Sequence, residues 1–259
     1  MKIGNWFKCV PAALLAAGLW IPNYASAAGV PLGDPSFEAY VVPSVGYAYA
    51  NEYRPTSAWV DDLDSPPGYT QDDANSNWLY NAAYGEASAA HRRAAPRTGN
   101  QAMHGFTQYS AQETNAVFEA GKTYTFSIWA QGDIDATIGA GSAGSSRVFL
   151  YIFDGSVPFS EANSLTFKRY APDTGDFVNR DPSWTPAQSQ AAWRQISLKY
   201  DVLPGSPVIG HPVGVGFWGA EDNSVDDATL DVSPTVPEPA SVLLLGVGGA
   251  ALAAVRRRR

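Results

Sequence analysis

Ala120-Gly121-Lys122-Thr123-Tyr124-Thr125-Phe126-Ser127-Ile128-Trp129-Ala130 opens on a turn and then alternates polar with apolar side chains. A period of two belongs to a strand whose successive side chains point to opposite faces. With Phe126 and Ile128 turned to a core, Trp129 projects from the other face. Ile196, Leu198, Tyr200 and Val202 repeat the pattern ahead of Pro204-Gly205. Val213, Val215 and Phe217 alternate with Gly214, Gly216 and Trp218, which sets Trp218 on a face away from the core. Arg147–Phe153 (RVFLYIF) is apolar on both faces. Its register leaves open whether Phe149, Tyr151 and Phe153 or Val148, Leu150 and Ile152 face outward. Ala228–Val232 reads as a last short strand. Glycine and proline fill the joints, and no segment carries a long 3.6-residue period. Short helical pieces are predicted only at Ala87–Ala95 and Pro186–Trp193. The chain is therefore expected to be all-β, an antiparallel β-sandwich with long loops over Val45–Tyr84 and Ser156–Ala192.

The two ends read as addresses. Lys2 and Lys8 precede an apolar segment, Val10–Ile21, and Ala25-Ser26-Ala27 gives a small-x-small pattern with cleavage expected between Ala27 and Ala28. Residues 1–27 are a predicted signal peptide, 28–235 the sandwich domain, and 236–259 a separate tail. The tail holds Val236-Pro237-Glu238-Pro239, the uncharged run Ser241–Val255, and Arg256, Arg257, Arg258 and Arg259. Fifteen helical residues span roughly 22 Å, short of the roughly 30 Å hydrocarbon core. Snorkelling arginines and the flanking Pro239-Ala240 can cover part of that gap. The arginines mark the end that stays cytoplasmic. An ordinary membrane anchor is the plain alternative, and a buried globular helix would hardly finish in four arginines.

This arrangement resembles the PEP-CTERM sorting signal of Gram-negative bacteria, with Val236, Pro237, Glu238 and Pro239 at the motif positions. The resemblance implies export across the inner membrane and transient anchoring through a short C-terminal transmembrane helix. It further implies recognition by an exosortase, then release to the cell surface or an exopolysaccharide-rich matrix.

The single cysteine, Cys9, lies in the leader, so the exported domain has no disulfide, thiolate nucleophile or cysteine metal site. Of the 17 basic and 25 acidic residues, Lys2, Lys8, the four terminal arginines and Glu238 belong to the ends. That leaves 11 basic against 24 acidic residues, about −13 on the domain by the same counting. Such a surface repels nucleic acid and suits divalent cations or neutral and cationic polymers.

Four short motifs stand in order along the domain: Gly33-Asp34-Pro35-Ser36-Phe37-Glu38, the 121–130 stretch, Trp193-Arg194-Gln195-Ile196, and Val225-Asp226-Asp227-Ala228-Thr229-Leu230. Their order is similar to that of galactose-binding-like jelly rolls, which include many carbohydrate-binding modules. The resemblance implies pairing of the first and last strands. It also implies a structural calcium held by Glu38 and Asp227, with Asp34 or Asp226 as helpers. Calcium takes six to eight oxygens, so these would form part of a shell. An aromatic sheet face that stacks on sugar rings is the other implied feature, with Trp129, Tyr151 and Trp218 as its candidates. Loops folded across the sheet would bury those same rings. Trp59, Tyr69, Trp78, Tyr80 and Tyr84 would line a rim or peg down the long loop.

No catalytic constellation is legible. His91, His104 and His211 form no metal pattern, and no G-x-S-x-G elbow exists. Gly139-Ala140-Gly141-Ser142-Ala143-Gly144 fits a dinucleotide fingerprint but precedes a strand rather than a helix. Asp61, Asp62, Asp64, Asp72 and Asp73 read as a solvated acidic loop. The expected protein is a non-enzymatic, structural or adhesive exported protein. The alternatives are a lectin-like module and a polysaccharide-modifying hydrolase.

Overall fold

The alternation at 124–129 becomes the middle of a long strand, and the strands around it build two facing sheets. The structure is a computed structural model that describes residues 27–42, 47–49, 58–61, 78–81, 91–105, 109–135, 146–181, 183–220 and 223–235. Its strands are β1 (Ala28–Val30), β2 (Tyr47–Tyr49), β3 (Val60–Asp61), β4 (Trp78–Asn81), β5 (His91–Arg92), β6 (Gln101–Gly105) and β7 (Tyr109–Val117). They continue with β8 (Lys122–Gly132), β9 (Ile134–Asp135), β10 (Arg147–Asp154), β11 (Ser164–Tyr170), β12 (Arg194–Val202), β13 (Pro212–Ala220) and β14 (Asn223–Pro234). The α-helix α1 (Pro186–Ala192) matches the second predicted helical piece. The first does not form as predicted: His91–Arg92 is a strand and Arg93–Ala95 runs without helix, while 82–90 lie outside the described residues.

The first sheet has the order β12-β8-β14-β6-β4-β2, with β1 also on β14; the second is β11-β10-β13-β7-β3. All their named pairings are antiparallel. β5 and β9 form a small third pair. Phe126, Ile128, Ile196, Leu198 and Leu230 of the first sheet meet Val148, Leu150, Ile152, Val213, Val215 and Phe217 of the second in one buried core. Trp59 and Phe37 plug that core, with ring centroids 5.3 Å (Trp59–Phe217) and 5.6 Å (Phe37–Trp59) apart. The Trp59 indole N–H donates to the Asp34 carbonyl at 3.0 Å, so its one polar atom is satisfied inside.

β14 is longer than the predicted Ala228–Val232 strand. One flank pairs with β8 along its length; the other is shared by β6 at Asn223–Val225 and β1 at Leu230–Val232. Between them the register slips at Asp226/Thr229, with Asp227 at φ 48°, and Ala228 N–H turns aside to the Pro35 carbonyl at 2.7 Å. That is a β-bulge, which leaves a residue unpaired and bends the strand.

Candidate functional site: the outer face of the five-stranded sheet

The two outer faces of the sandwich differ. On the first sheet, α1 and the segment after β5 lie over β8. α1 starts on Pro186 behind a capping box of Thr185 and Gln188. Its buried Ser189 hydroxyl donates to Gln131 Oε1 at 2.8 Å and accepts from Ala95 N–H at 3.0 Å. Tyr80, Ala94, Ala102 and Trp193 pack there, with half-buried Trp129 against them and the Arg97 guanidinium 3.7 Å over the Trp129 ring. Trp129 thus faces outward as predicted but stands under Arg97, on the opposite side of the sandwich from Trp218. The sequence pattern puts both tryptophans on outer faces; the topology puts them on different sheets.

On the second sheet the register resolves the ambiguity of β10: Val148, Leu150 and Ile152 enter the core, and Phe149, Tyr151 and Phe153 face out. Beside them on β13 stand Gly214, Gly216 and Trp218, and on β7 Glu113, Ala111 and Tyr109. The small residues are what allow so many rings. A methyl at Gly214 would sit 2.6 Å from Phe153 Cδ2, with two more ring carbons nearer still. Phe153 therefore lies on bare backbone. The β10–β11 connection then folds Phe159 onto Tyr109 (5.3 Å), Tyr151 (5.5 Å) and Phe153 (4.8 Å).

This splits the face into two parts. Tyr151, Phe153 and Phe159 are buried. Burial above all, then the neighbouring Tyr109 and Glu161, pushes the Tyr151 hydroxyl far above its ordinary range, so it stays protonated. Tyr151 is thus a floor to the face rather than an exposed platform ring. The rings that reach solvent are Tyr109 and Trp218, stacked at 5.9 Å and 26°, Phe149 at 5.0 Å from Trp218, and Phe167, 53 % exposed and stacked on Tyr151 at 5.9 Å. Tyr109 donates its hydroxyl to Glu161 Oε2 at 3.0 Å. Beside Phe153 and Phe159 a groove of about 360 Å³ opens toward Ala58, Ala111, Pro158 and the Glu113 carboxylate. Tyr109, Phe159 and Phe167 were not among the sequence candidates; the alternation of glycine with large residues on β13 was the available signal that rings lie over it.

The carboxylates proposed for calcium have other partners. Glu38 Oε1 accepts the N–H groups of Asn100 (2.8 Å) and Gln101 (2.7 Å), and Gly99 (φ 60°) passes so close that a methyl would lie 2.7 Å from Glu38 Cδ. Asp227 accepts from the Arg97 guanidinium and from the Thr98 hydroxyl at 2.6 Å. Asp226 accepts the N–H groups of Arg97 (2.8 Å), Thr98 (3.3 Å) and Asp227 (2.8 Å). Burial first, then the charge of Asp227, raises the Asp226 carboxyl well above its ordinary range despite those amides. Three acids hold the 97–101 loop through its own donors, and Arg97 supplies the positive charge. Among the described residues no group of three metal-ligating acids, histidines or cysteines converges. The donor set does not fit a calcium shell, and Asp34 accepts instead from Ala39 N–H at 2.9 Å.

Two further polar clusters stand elsewhere in the domain. Asp133 is buried with His104 Nδ1 at 3.0 Å, Ala94 N–H at 2.9 Å, the Ser224 hydroxyl at 2.8 Å and Arg93 at 3.6 Å. Its burial opposes charge, but His104, Arg93 and Ser224 together hold the carboxyl below its ordinary range. On the rim, His211 Nδ1 meets both Asp154 Oδ2 (2.7 Å) and Ser156 Oγ (3.3 Å). A serine relay needs the hydroxyl on the imidazole nitrogen opposite the carboxylate, so this trio locks a turn. The acids 62–73, the glycine-rich 139–144 stretch, Tyr69, Tyr84, Val236–Pro239 and Arg256–Arg259 lie outside the described residues.

Comparison with known proteins adds to this. The PEP-CTERM protein-sorting motif matches residues 235–259. The chain carries an exosortase-directed sorting signal, which indicates export and C-terminal sorting to the cell surface. No curated protein matches it in sequence. Among solved structures, the Stig cyclase Fisc from Fischerella sp. TAU aligns over 82 % of this chain and 100 % of its own at 15 % identity, TM-score 0.54. An apo cyclase from Fischerella sp. aligns over 82 % and 99 % at 13 % identity, TM-score 0.55. Both show a shared β-sandwich fold and nothing of activity. The carbohydrate-binding module TmCBM61, in complex with β-1,4-galactotriose, covers 78 % and 97 % at 13 % identity, but its TM-score of 0.39 is too low to weigh.

Proposed function

We propose that the domain is a non-catalytic surface or extracellular-matrix protein that adheres to polysaccharide through the outer face of its five-stranded sheet. The observation that supports this is the run Tyr109–Trp218–Phe149, continued through Tyr151 to Phe167, on the outer face opposite the one that α1 covers. Flat rings set side by side match the apolar faces of sugar units, and the acidic surface favours a neutral or cationic polymer over an anionic one. Glu161, the carboxylate beside the stack, already accepts the Tyr109 hydroxyl, which favours adhesion over hydrolysis.

The test is binding of the folded domain to a panel of neutral, cationic and anionic polysaccharides, with Trp218→Ala and Phe149→Ala beside it. Each substitution is expected to weaken retention at least tenfold while the circular dichroism stays unchanged. Retention untouched in both folded variants would remove the aromatic face from the function. Release of reducing ends from the polymer would reinstate the hydrolase.

A further inference from the structure

Both ends of the sandwich domain leave from one pole. Thr235, after the last strand, donates its N–H to the Gly121 carbonyl at 2.8 Å, and Ala28 pairs opposite Val232. Three connections lie at the same pole and are laced together by backbone hydrogen bonds. Phe118 N–H donates to the His211 carbonyl (2.9 Å), Gly210 N–H to Phe118 (2.8 Å) and Gly155 N–H to Pro212 (2.9 Å). On them stand Val117 (43 % exposed), Val157 (41 %), Leu203 (66 %) and Ile209 (39 %). These are four of the seven large exposed apolar side chains of the described residues, and a fifth, Phe167, belongs to the aromatic face. Scattered exposed aliphatics need no explanation; a group gathered where the tail departs does.

We propose that this pole is the surface on which the domain rests against the lipid bilayer while the tail is attached. The inference rests on Ser241–Val255 being embedded in the membrane. From Thr235 to Ser241 there are six residue steps, at most about 20 Å when fully extended. Pro237 and Pro239 stiffen that connector, so the pole is held beside the bilayer and the apolar tips meet it at high effective concentration. Glu119, Asp154 and Asp201 outnumber Lys122 at this pole, so the contact is apolar and needs no anionic lipid.

The test uses the tag-bearing chain as exported, leader removed and hence free of cysteine. Single cysteines at 157, 203 and, on the far pole, 178 carry a fluorophore, and the protein is reconstituted into phosphatidylcholine vesicles containing a headgroup-borne quencher. Flotation with the vesicles, and quenching at 157 and 203 severalfold stronger than at 178, is the expected result. A chain that does not float overturns the embedded tail and the proposal with it. A chain that floats with equal quenching at the three sites, or none, overturns the pole alone.

Discussion

Replacing Gly214 by alanine asks whether the aromatic face is built on a bare backbone track. The new methyl would lie 2.6 Å from Phe153 Cδ2, against an ordinary carbon–carbon contact of about 3.5–4.0 Å, so the ring must retreat by about 1 Å or more. It has nowhere to go: Phe153 is 1 % exposed and Phe159 stands 4.8 Å above it. Overpacking of this kind costs about 1–3 kcal/mol, reduced by roughly 0.4–1 kcal/mol because alanine restricts the unfolded chain. The net, roughly 1–2 kcal/mol, corresponds to a fall in Tm of about 2–8 °C for a domain of this size. Phe153→Ala alone removes a buried ring and is expected to cost about 3–5 kcal/mol. In the double variant the methyl meets no ring and fills part of the hole. The pair should therefore be less destabilised than the sum by about 1 kcal/mol or more. Urea unfolding followed by tryptophan fluorescence and circular dichroism reads all three variants. Gly121→Ala, at φ 71° with nothing within 4 Å of the added methyl, isolates backbone strain. If the two changes add to within about 0.5 kcal/mol, the ring and the glycine are not in contact and the argument for the face's construction fails.

Gly99→Ala is expected to lower stability by roughly 2 kcal/mol, from its positive φ and the displaced Glu38 carboxylate; combining it with Glu38→Ala should add little further loss, as chemical denaturation would show. Asp133 and Asp226 should give opposite pH signatures in thermal melts. The folded pKa of Asp133 is lowered, so its stabilisation is full above the ordinary value of 3.8 and is lost as pH falls below it, a loss that Asp133→Asn removes. The folded pKa of Asp226 is raised, so the domain loses stability as pH rises from 3.8 through that pKa, and Asp226→Asn should abolish this dependence. Trp129→Ala should cost roughly 2 kcal/mol by calorimetry, because the ring packs against Trp193 and carries Arg97, yet leave polysaccharide retention intact.

Strands whose two faces differ in polarity, or that are apolar on both, were legible. β8, β12, β13 and β10 follow from their side chains. β6 and β7 did not, because QAMHG and YSAQETNAV mix polar groups into buried positions, and β11 did not, because SLTFKRY turns Phe167 to solvent among polar and charged neighbours. Gln101, Ser110 and Gln112 are inside and satisfied by Phe37, Met103 and Gly33 respectively, contacts that only the folded chain supplies. Alternation showed that Trp129 and Trp218 face outward, but a period of two carries no information on which sheet a strand joins. The acidic motif Val225–Leu230 marked a special place without revealing its use. Carboxylates suit amide donors as well as they suit cations, and the choice depends on the 97–101 loop, distant in sequence. Phe159 became part of the face through a connection whose folding no local pattern encodes.

The position of β14 has a mechanical consequence. If the tail is attached at a surface and a polymer is held on the five-stranded sheet, as proposed, tension between them would enter the domain along the axis of this strand. β14 is held by ten register pairs to β8 on one side and by β6 and β1 on the other. Those hydrogen bonds lie across the pull and are loaded together in shear, rather than opened one after another as in a peeled hairpin. A domain hung this way should resist forced extraction better when pulled through its C-terminus than through β1, which is held in the same geometry by only three pairs.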